Sequence, residues 1–182
     1  MIASPRRIVT GTVEGRSRIV SVDRGGAFLA TGAGGGIHEI WSTTAQSPIG
    51  DVADNEETPA FAPEPGGTSC RLVCIPPDAE RWSDPEAAAR AAAAIGQERP
   101  AHWVARHPGM HVTPSIDYVL VLKGEVTAVM EESEVALSPG DVLVQRATPH
   151  AWKNPGKVAA LLLVTMVGLT EQASAQTAAA QN

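Results

Sequence analysis

The sequence lacks several things whose absence narrows its function. No run of eighteen apolar residues exists, so no transmembrane helix is expected, and Met1-Ile2-Ala3-Ser4-Pro5-Arg6-Arg7 has no apolar stretch after its positive charges to serve as a secretory signal. A soluble, cytoplasmic protein is expected, with no membrane partner. Lysine and arginine total 14 against 20 acidic residues, giving a net charge of −6. They are scattered, without the basic stripe that phosphate neutralisation requires, and nucleic acid is set aside as a partner. Only two cysteines occur. Cys70 and Cys74 stand four apart in a strand-like segment, where a rise of roughly 3.3 Å per residue separates their Cα atoms too far for a disulfide. They read as reduced packing thiols. A length of 182 residues with 43% hydrophobic content fits one core and leaves little room for a second domain.

What is present is a succession of short apolar runs punctuated by glycine. Residues 7–11, 18–22, 27–31 and 37–42 read as strands, with turns at 23–26 and 32–36. Gly34-Gly35-Gly36 is followed by no Gly-Lys-Ser/Thr and no helical pattern, so it reads as a turn and not as a phosphate loop. Residues 48–67 are acidic and rich in proline and glycine, and read as a surface loop. A strand resumes at 68–75 and stops at Pro76-Pro77. Ser83-Asp84-Pro85-Glu86 then supplies a capping serine, an early proline and a glutamate three residues after the cap, predicting a helix over 84–95. Its small residues place it on the barrel or over its mouth. Strands follow at 116–122, 126–130, 134–137, 141–145 and 158–167, and residues 170–182 read as a flexible tail. The fold expected is an all-β sandwich or barrel with one short helix, as a single domain over 1–169.

Two stretches carry a sharper signal. Met110-His111-Val112-Thr113-Pro114-Ser115-Ile116-Asp117-Tyr118, with Gly124 beyond it, resembles the first motif of the cupin superfamily. Pro139-Gly140-Asp141-Val142, then His150 and Asn154, resembles the second. The resemblance implies a double-stranded β-helix, or jelly-roll barrel, with His111, Asp117 and His150 as site residues. Thr113 stands where the family usually has a second histidine, and Asp117 where it usually has a glutamate. A subset with a Met-His-x-Thr stretch and a later Val-Gln-Arg-Ala/Gly-Thr-x-His-Ala-Trp stretch is closer still, and includes single-domain members that accompany microbial secondary metabolism or aromatic degradation.

Strand geometry supports the grouping independently. Alternate residues share a face, so His111 and Thr113 point the same way, and Pro114-Ser115 can turn the chain to return Asp117 to that face. Two imidazoles and a carboxylate form a donor set acceptable to iron(II), zinc, manganese or nickel. A divalent metal is therefore the expected cofactor, its loss the alternative. Thr113, Gln145 and His107 are expected as further lining residues, although a solvated loop histidine is the commoner role for His107. His38 reads as an ordinary strand residue, and Tyr118, Trp103 and Trp152 as packing.

Three functions fit these residues. The first is a metal-dependent enzyme acting on a small carbonyl, enol or phenolic compound by oxygenation, decarboxylation, isomerisation or dehydration. A metal-free isomerase or dehydratase would use His111 or His150 as a base paired with Asp117, the carboxylate orienting the imidazole. A non-catalytic cupin would hold a small ligand without turnover. Free edges among the N-terminal strands predict a homodimer.

Overall fold

The computed structural model describes residues 4–32, 34–47, 59–83, 86 and 99–170. Its first two strands, β1 (Arg7–Val13) and β2 (Arg16–Asp23), form a separate antiparallel hairpin. A six-stranded antiparallel sheet joins β3 (Phe28–Gly32), β4 (Gly35–Thr43), β5 (Thr68–Ile75), β6 (Ser115–Lys123), β9 (Val142–Arg146) and β11 (Ala160–Gly168) in the order β3-β4-β5-β11-β6-β9. A three-stranded sheet joins β7 (Val126–Val129), β8 (Glu134–Leu137) and β10 (Ala151–Lys153) in the order β10-β7-β8. The protein has the all-β double-stranded β-helix fold expected of it.

Period-two alternation explains how these strands make an interior. Along β11, Ala160, Leu162, Val164, Met166 and Gly168 are buried while the residues between them are less so. Along β6 the buried set is Ser115, Asp117, Val119 and Val121. One face of β6 therefore changes from polar to apolar along its length. The apolar half joins Ile75, Val126, Ala128, Leu137, Leu162 and Val164 in the main core. Each valine, leucine or isoleucine among them, once fully buried, contributes roughly 1.5–3 kcal/mol. The polar half of the same face opens into the site.

Several expectations need correcting. Gly35 and Gly36 belong to β4, and the turn is made at Gly34, whose φ is +79°. A Cβ on Gly36 would collide with the Phe28 ring, so glycine serves close strand packing there. The loop expected over 48–67 is not all surface: residues 48–58 lie outside the described residues, but Pro59 and Gly67 are buried and Phe61 reaches the interior. Two short helices, α1 (Asp78–Arg81) and α2 (Ala101–Arg106), follow Pro77 and Pro100. Four and six residues are too few to show a helical period, and Pro76-Pro77 ends a strand while also preparing a helix start. Strand β10 escaped notice because three residues show no alternation. The helix expected over 84–95, with its covering role, lies outside the described residues except for Glu86, which is helical. The tail 171–182 lies outside them as well. Among the described residues no helix is long and apolar enough to cross a membrane.

Candidate functional site

His111 and His150 come together through the main chain. His111 N donates to His150 O at 2.9 Å and His150 N donates to His111 O at 2.8 Å, an isolated antiparallel bridge between segments 39 positions apart. Directly paired strand residues project on the same side, and the two imidazole centroids are 4.3 Å apart. Each ring is then held by its own loop. His111 Nδ1 lies 2.8 Å from Gly109 O, and His150 Nδ1 lies 2.9 Å from Thr148 O. A carbonyl only accepts, so in both neutral rings Nδ1 carries the proton and Nε2 keeps its lone pair.

Burial drives both imidazoles away from protonation. The His111 pKa falls to about 3, chiefly by desolvation and then by repulsion from His150, against the Gly109 hydrogen bond and the Asp117 charge. The His150 pKa falls to about 4, again by desolvation, with the Thr148 hydrogen bond opposing. Both rings are neutral acceptors near pH 7.

Asp117 shares the cavity with them. It is buried, and its two oxygens accept from Ser115 Oγ at 2.5 Å and Thr113 Oγ1 at 3.0 Å. Desolvation pushes its carboxyl above the ordinary range, and the two hydroxyl donors, then Arg71 and His111, pull it back only in part. The cavity holds about 180 Å³ and is walled mostly by apolar groups, including Phe61, Val73, Val119, Leu162 and Val164. His111, Thr113, Asp117 and His150 form its polar pole.

The structure thus brings together His111, Thr113, Asp117 and His150 in one cavity, as the sequence suggested. Gln145 is not among its lining residues, although it lies opposite Asp117 in the β6–β9 register. Its amide turns to Thr148, donating to the backbone oxygen at 2.9 Å and meeting the hydroxyl, so it braces the loop that carries His150. His107 does not line the cavity either, and it is buried where a solvated loop residue was the commoner expectation. Its Nδ1 accepts from Gly109 N at 3.0 Å, its ring meets Trp82 edge-on, and burial lowers its pKa to about 4. Trp152 packs against the main core as expected and also lines the cavity, Trp103 packs against Met110, Val129 and Ala151 and donates to Glu131 Oε1, and Tyr118 is exposed. His38 bonds Ser4 Oγ and Gly25 O, away from the site.

Sequence reasoning missed Arg71, Arg81, Trp82 and Phe61, all of which line the cavity. Arg71 had a signal: a lone charge inside strand β5 (Thr68–Ile75), on the face shared with Val73. It is clamped to Glu39 Oε2 at 2.7 Å and donates to Ser69 Oγ, Phe61 O and Ala60 O. Arg81 follows a strand that had already ended, and nothing local points it inward.

The expected metal set can be tested against these contacts. Asp117 has both oxygens engaged by hydroxyls, and among the described residues no group of three or more His, Cys, Asp or Glu side chains is arranged to hold a metal ion. What converges is two imidazole nitrogens and a carboxylate that also accepts from two hydroxyls of its own segment. The arrangement suits hydrogen-bond acceptance by two Nε2 atoms beside a carboxyl group that burial makes more basic.

Comparison with known proteins places this geometry among relatives. Residues 96–166 match the Cupin_2 family model, a cupin domain. The chain is 33% identical over 112 residues to phomopsin biosynthesis cluster protein C' of Diaporthe leptostromiformis, covering 61% of this chain and 45% of that protein. It is 29% identical over 171 residues to the cupin-domain-containing oxidoreductase fogC of Aspergillus ruber, covering 87% of this chain and 71% of that one. The chain therefore spans less than half the length of the phomopsin-cluster relative. A Cupin 2 conserved barrel domain protein from Salinispora arenicola CNS-205 superposes over 84% of this chain and 90% of its own, with a TM-score of 0.41 and 10% identity.

Proposed function

This chain belongs to the cupin superfamily, and from that premise we propose that it is an enzyme that moves a proton on a small organic compound bearing a carbonyl, enol or phenolic oxygen. The observation that carries the proposal is the polar pole itself: one buried carboxyl and two neutral imidazoles on an otherwise apolar cavity. Asp117 takes the proton from carbon, its basicity raised by desolvation toward the range useful for general-base work. The electron pair of the broken C–H bond moves onto the carbonyl oxygen. In isomerisation Asp117 returns the proton to the neighbouring carbon while the proton of the adjacent hydroxyl passes to the enolate oxygen and that hydroxyl's oxygen becomes the new carbonyl; in dehydration the enolate pair returns to expel the β-hydroxyl, which takes the proton from Asp117 and leaves as water. His111 and His150 accept hydrogen bonds from substrate hydroxyls through Nε2 and hold the reacting carbons in place.

The experiment is exchange of carbon-bound hydrogen for deuterium in D2O, followed by NMR over a panel of hydroxycarbonyl and phenolic compounds. Asp117→Asn is expected to lower exchange at least about a hundredfold. His111→Ala and His150→Ala are expected chiefly to raise the half-saturating concentration. Saturable binding without exchange in the wild type would move the chain to the ligand-holding class.

A metal-dependent reading remains second, supported by one observation. Imidazoles that bind metal through Nε2 ordinarily donate Nδ1–H to a carbonyl, as both do here. Elemental analysis of protein purified without chelator or histidine tag separates the two readings. Near-stoichiometric iron, zinc, manganese or nickel, with exchange lost on chelation, would replace the first by the second. We also propose a second copy of the chain as partner. Ile8 and Val22 sit opposite each other on the hairpin and are half exposed, with Ile19 more so. Light scattering should read a dimer that Ile19→Lys with Val22→Lys weakens.

A further inference from the structure

Each imidazole of the site is tethered to a main-chain carbonyl, and each residue supplying that carbonyl is itself held by a second buried polar side chain outside the cavity lining. For His111 the tether is Gly109. Glycine is the residue least able to fix its own backbone, yet Gly109 O must keep one orientation to accept from His111 Nδ1 at 2.8 Å. The turn His107-Pro108-Gly109-Met110 supplies the constraint. Met110 N closes it by donating to His107 O at 3.0 Å, and Gly109 N donates inside it to His107 Nδ1 at 3.0 Å. Asparagine and aspartate hold turns in the same way, accepting from the backbone N–H two residues on. The His107 ring lies so close that a Cβ on Gly109 would stand 3.3 Å from Nδ1, and it meets the Trp82 ring edge-on.

For His150 the tether is Thr148. Its carbonyl accepts from His150 Nδ1 and from Gln145 Nε2, each at 2.9 Å, which occupies both of its lone pairs. Gln145 Nε2 also meets the Thr148 hydroxyl. Gln145 is 2% exposed and His107 8%, so water competes little for either side chain. An imidazole whose Nδ1 acceptor drifts away is free to take the other tautomer. Its proton then sits on Nε2, where the site needs a lone pair.

We infer that His107 and Gln145 are positioning residues that lock the tautomers of the site, His107 acting on His111 through Gly109 and Gln145 acting on His150 through Thr148. The inference rests on the reading of His111 and His150 as the groups that receive substrate hydroxyls, and it gives each ring its own lock. It also fixes the tautomer of His107. Gly109 N–H only donates, so His107 Nδ1 is bare and its proton is on Nε2, the reverse of His111 and His150. Burial, then the Arg81 charge, lowers the His107 pKa to about 4, and the ring stays neutral near pH 7.

The test is nitrogen-15 NMR of the imidazoles in the full chain. It reads tautomers without substrate or turnover, so its failure is distinct from failure of the proton-transfer proposal. Wild-type His107 should carry its proton on Nε2, and His111 and His150 on Nδ1. His107→Ala should move the His111 tautomer ratio about fivefold or more toward Nε2–H, the worth of one hydrogen bond, and leave His150 unmoved. Gln145→Met should do the reverse. His107→Asn, able to accept from the same N–H, should keep the His111 ratio within about twofold of wild type. A general loss of packing would give neither the crossed pattern nor the rescue by asparagine. A wild-type His107 protonated on Nδ1 overturns the inference without recourse to a variant. So does a His111 ratio unmoved by His107→Ala, both rings moving together in either variant, or His107→Asn behaving as His107→Ala does.

Discussion

Glu39 and Asp117 are both 4% exposed, both sit in the six-stranded sheet, and both have carboxyls that burial pushes upward. Their neighbours differ. Glu39 meets a guanidinium at 2.7 Å and a serine hydroxyl, so its charge is matched by a fixed opposite charge. Asp117 has two hydroxyls at hydrogen-bond distance, and Arg71 reaches it only through the longer-range field. A buried carboxylate with a dedicated cation is part of the architecture. One satisfied by hydroxyls alone gives up and recovers a proton at lower cost, and is suited to chemistry.

Breaking the Glu39 side should have the largest effect on folding. Arg71→Met leaves the Glu39 carboxylate buried without its cation, and should destabilise the protein by about 3–5 kcal/mol in urea unfolding. A loss under about 1 kcal/mol would mean that hydroxyls suffice for Glu39 too, and the contrast with Asp117 would fail.

The next effect sharpens the other pole through pH. Unfolded imidazoles protonate below about 6.5, whereas folded His107 and His150 stay neutral until about 4 and His111 until about 3. Between those limits the unfolded chain binds more protons, so stability falls as pH drops through the window. Asp117 and Glu39, with raised folded values, act with the opposite sign and blunt the slope. His150→Asn should flatten the wild-type slope between pH 6.5 and about 4 by about 1.4 kcal/mol per pH unit, read from unfolding midpoints. An unchanged slope would show that His150 is not held neutral.

The smallest effect concerns the hydroxyls themselves. Thr113→Val removes the donor to Asp117 Oδ2, at an expected stability cost of about 1 kcal/mol. With one fewer stabilising bond the Asp117 carboxyl rises further, and the acid limb of the exchange-versus-pH profile should move to higher pH. Movement to lower pH, or none, would mean that Thr113 is not what holds the carboxylate.

These residues also mark where local sequence stops being informative. The inward face of β6 was legible, since Ser115, Asp117, Val119 and Val121 follow the pleat, and strands such as Thr68–Ile75 could be bounded by their flanking proline and glycine. His111 and His150 were legible as a pair because each occupies a recognisable motif. Gln145 and His107 were misplaced for one reason. Both lie beside the site in sequence, but each side chain found a nearer backbone partner, Thr148 for one and Gly109 for the other.

The sequence by itself determined the all-β alternation, the absence of a basic surface stripe, and the candidacy of His111, Thr113, Asp117 and His150. Those properties depend on residue type and on spacing within one or two strands, which the pleat converts directly into faces. Only the tertiary structure decided that Asp117 accepts from the Thr113 and Ser115 hydroxyls, that Arg71 is paired with Glu39, and that Arg81 and Trp82 join the cavity lining. Each of these is settled by how distant segments share a limited set of donors and acceptors in a buried space. The order of residues along the chain does not encode that allocation until the two sheets have closed.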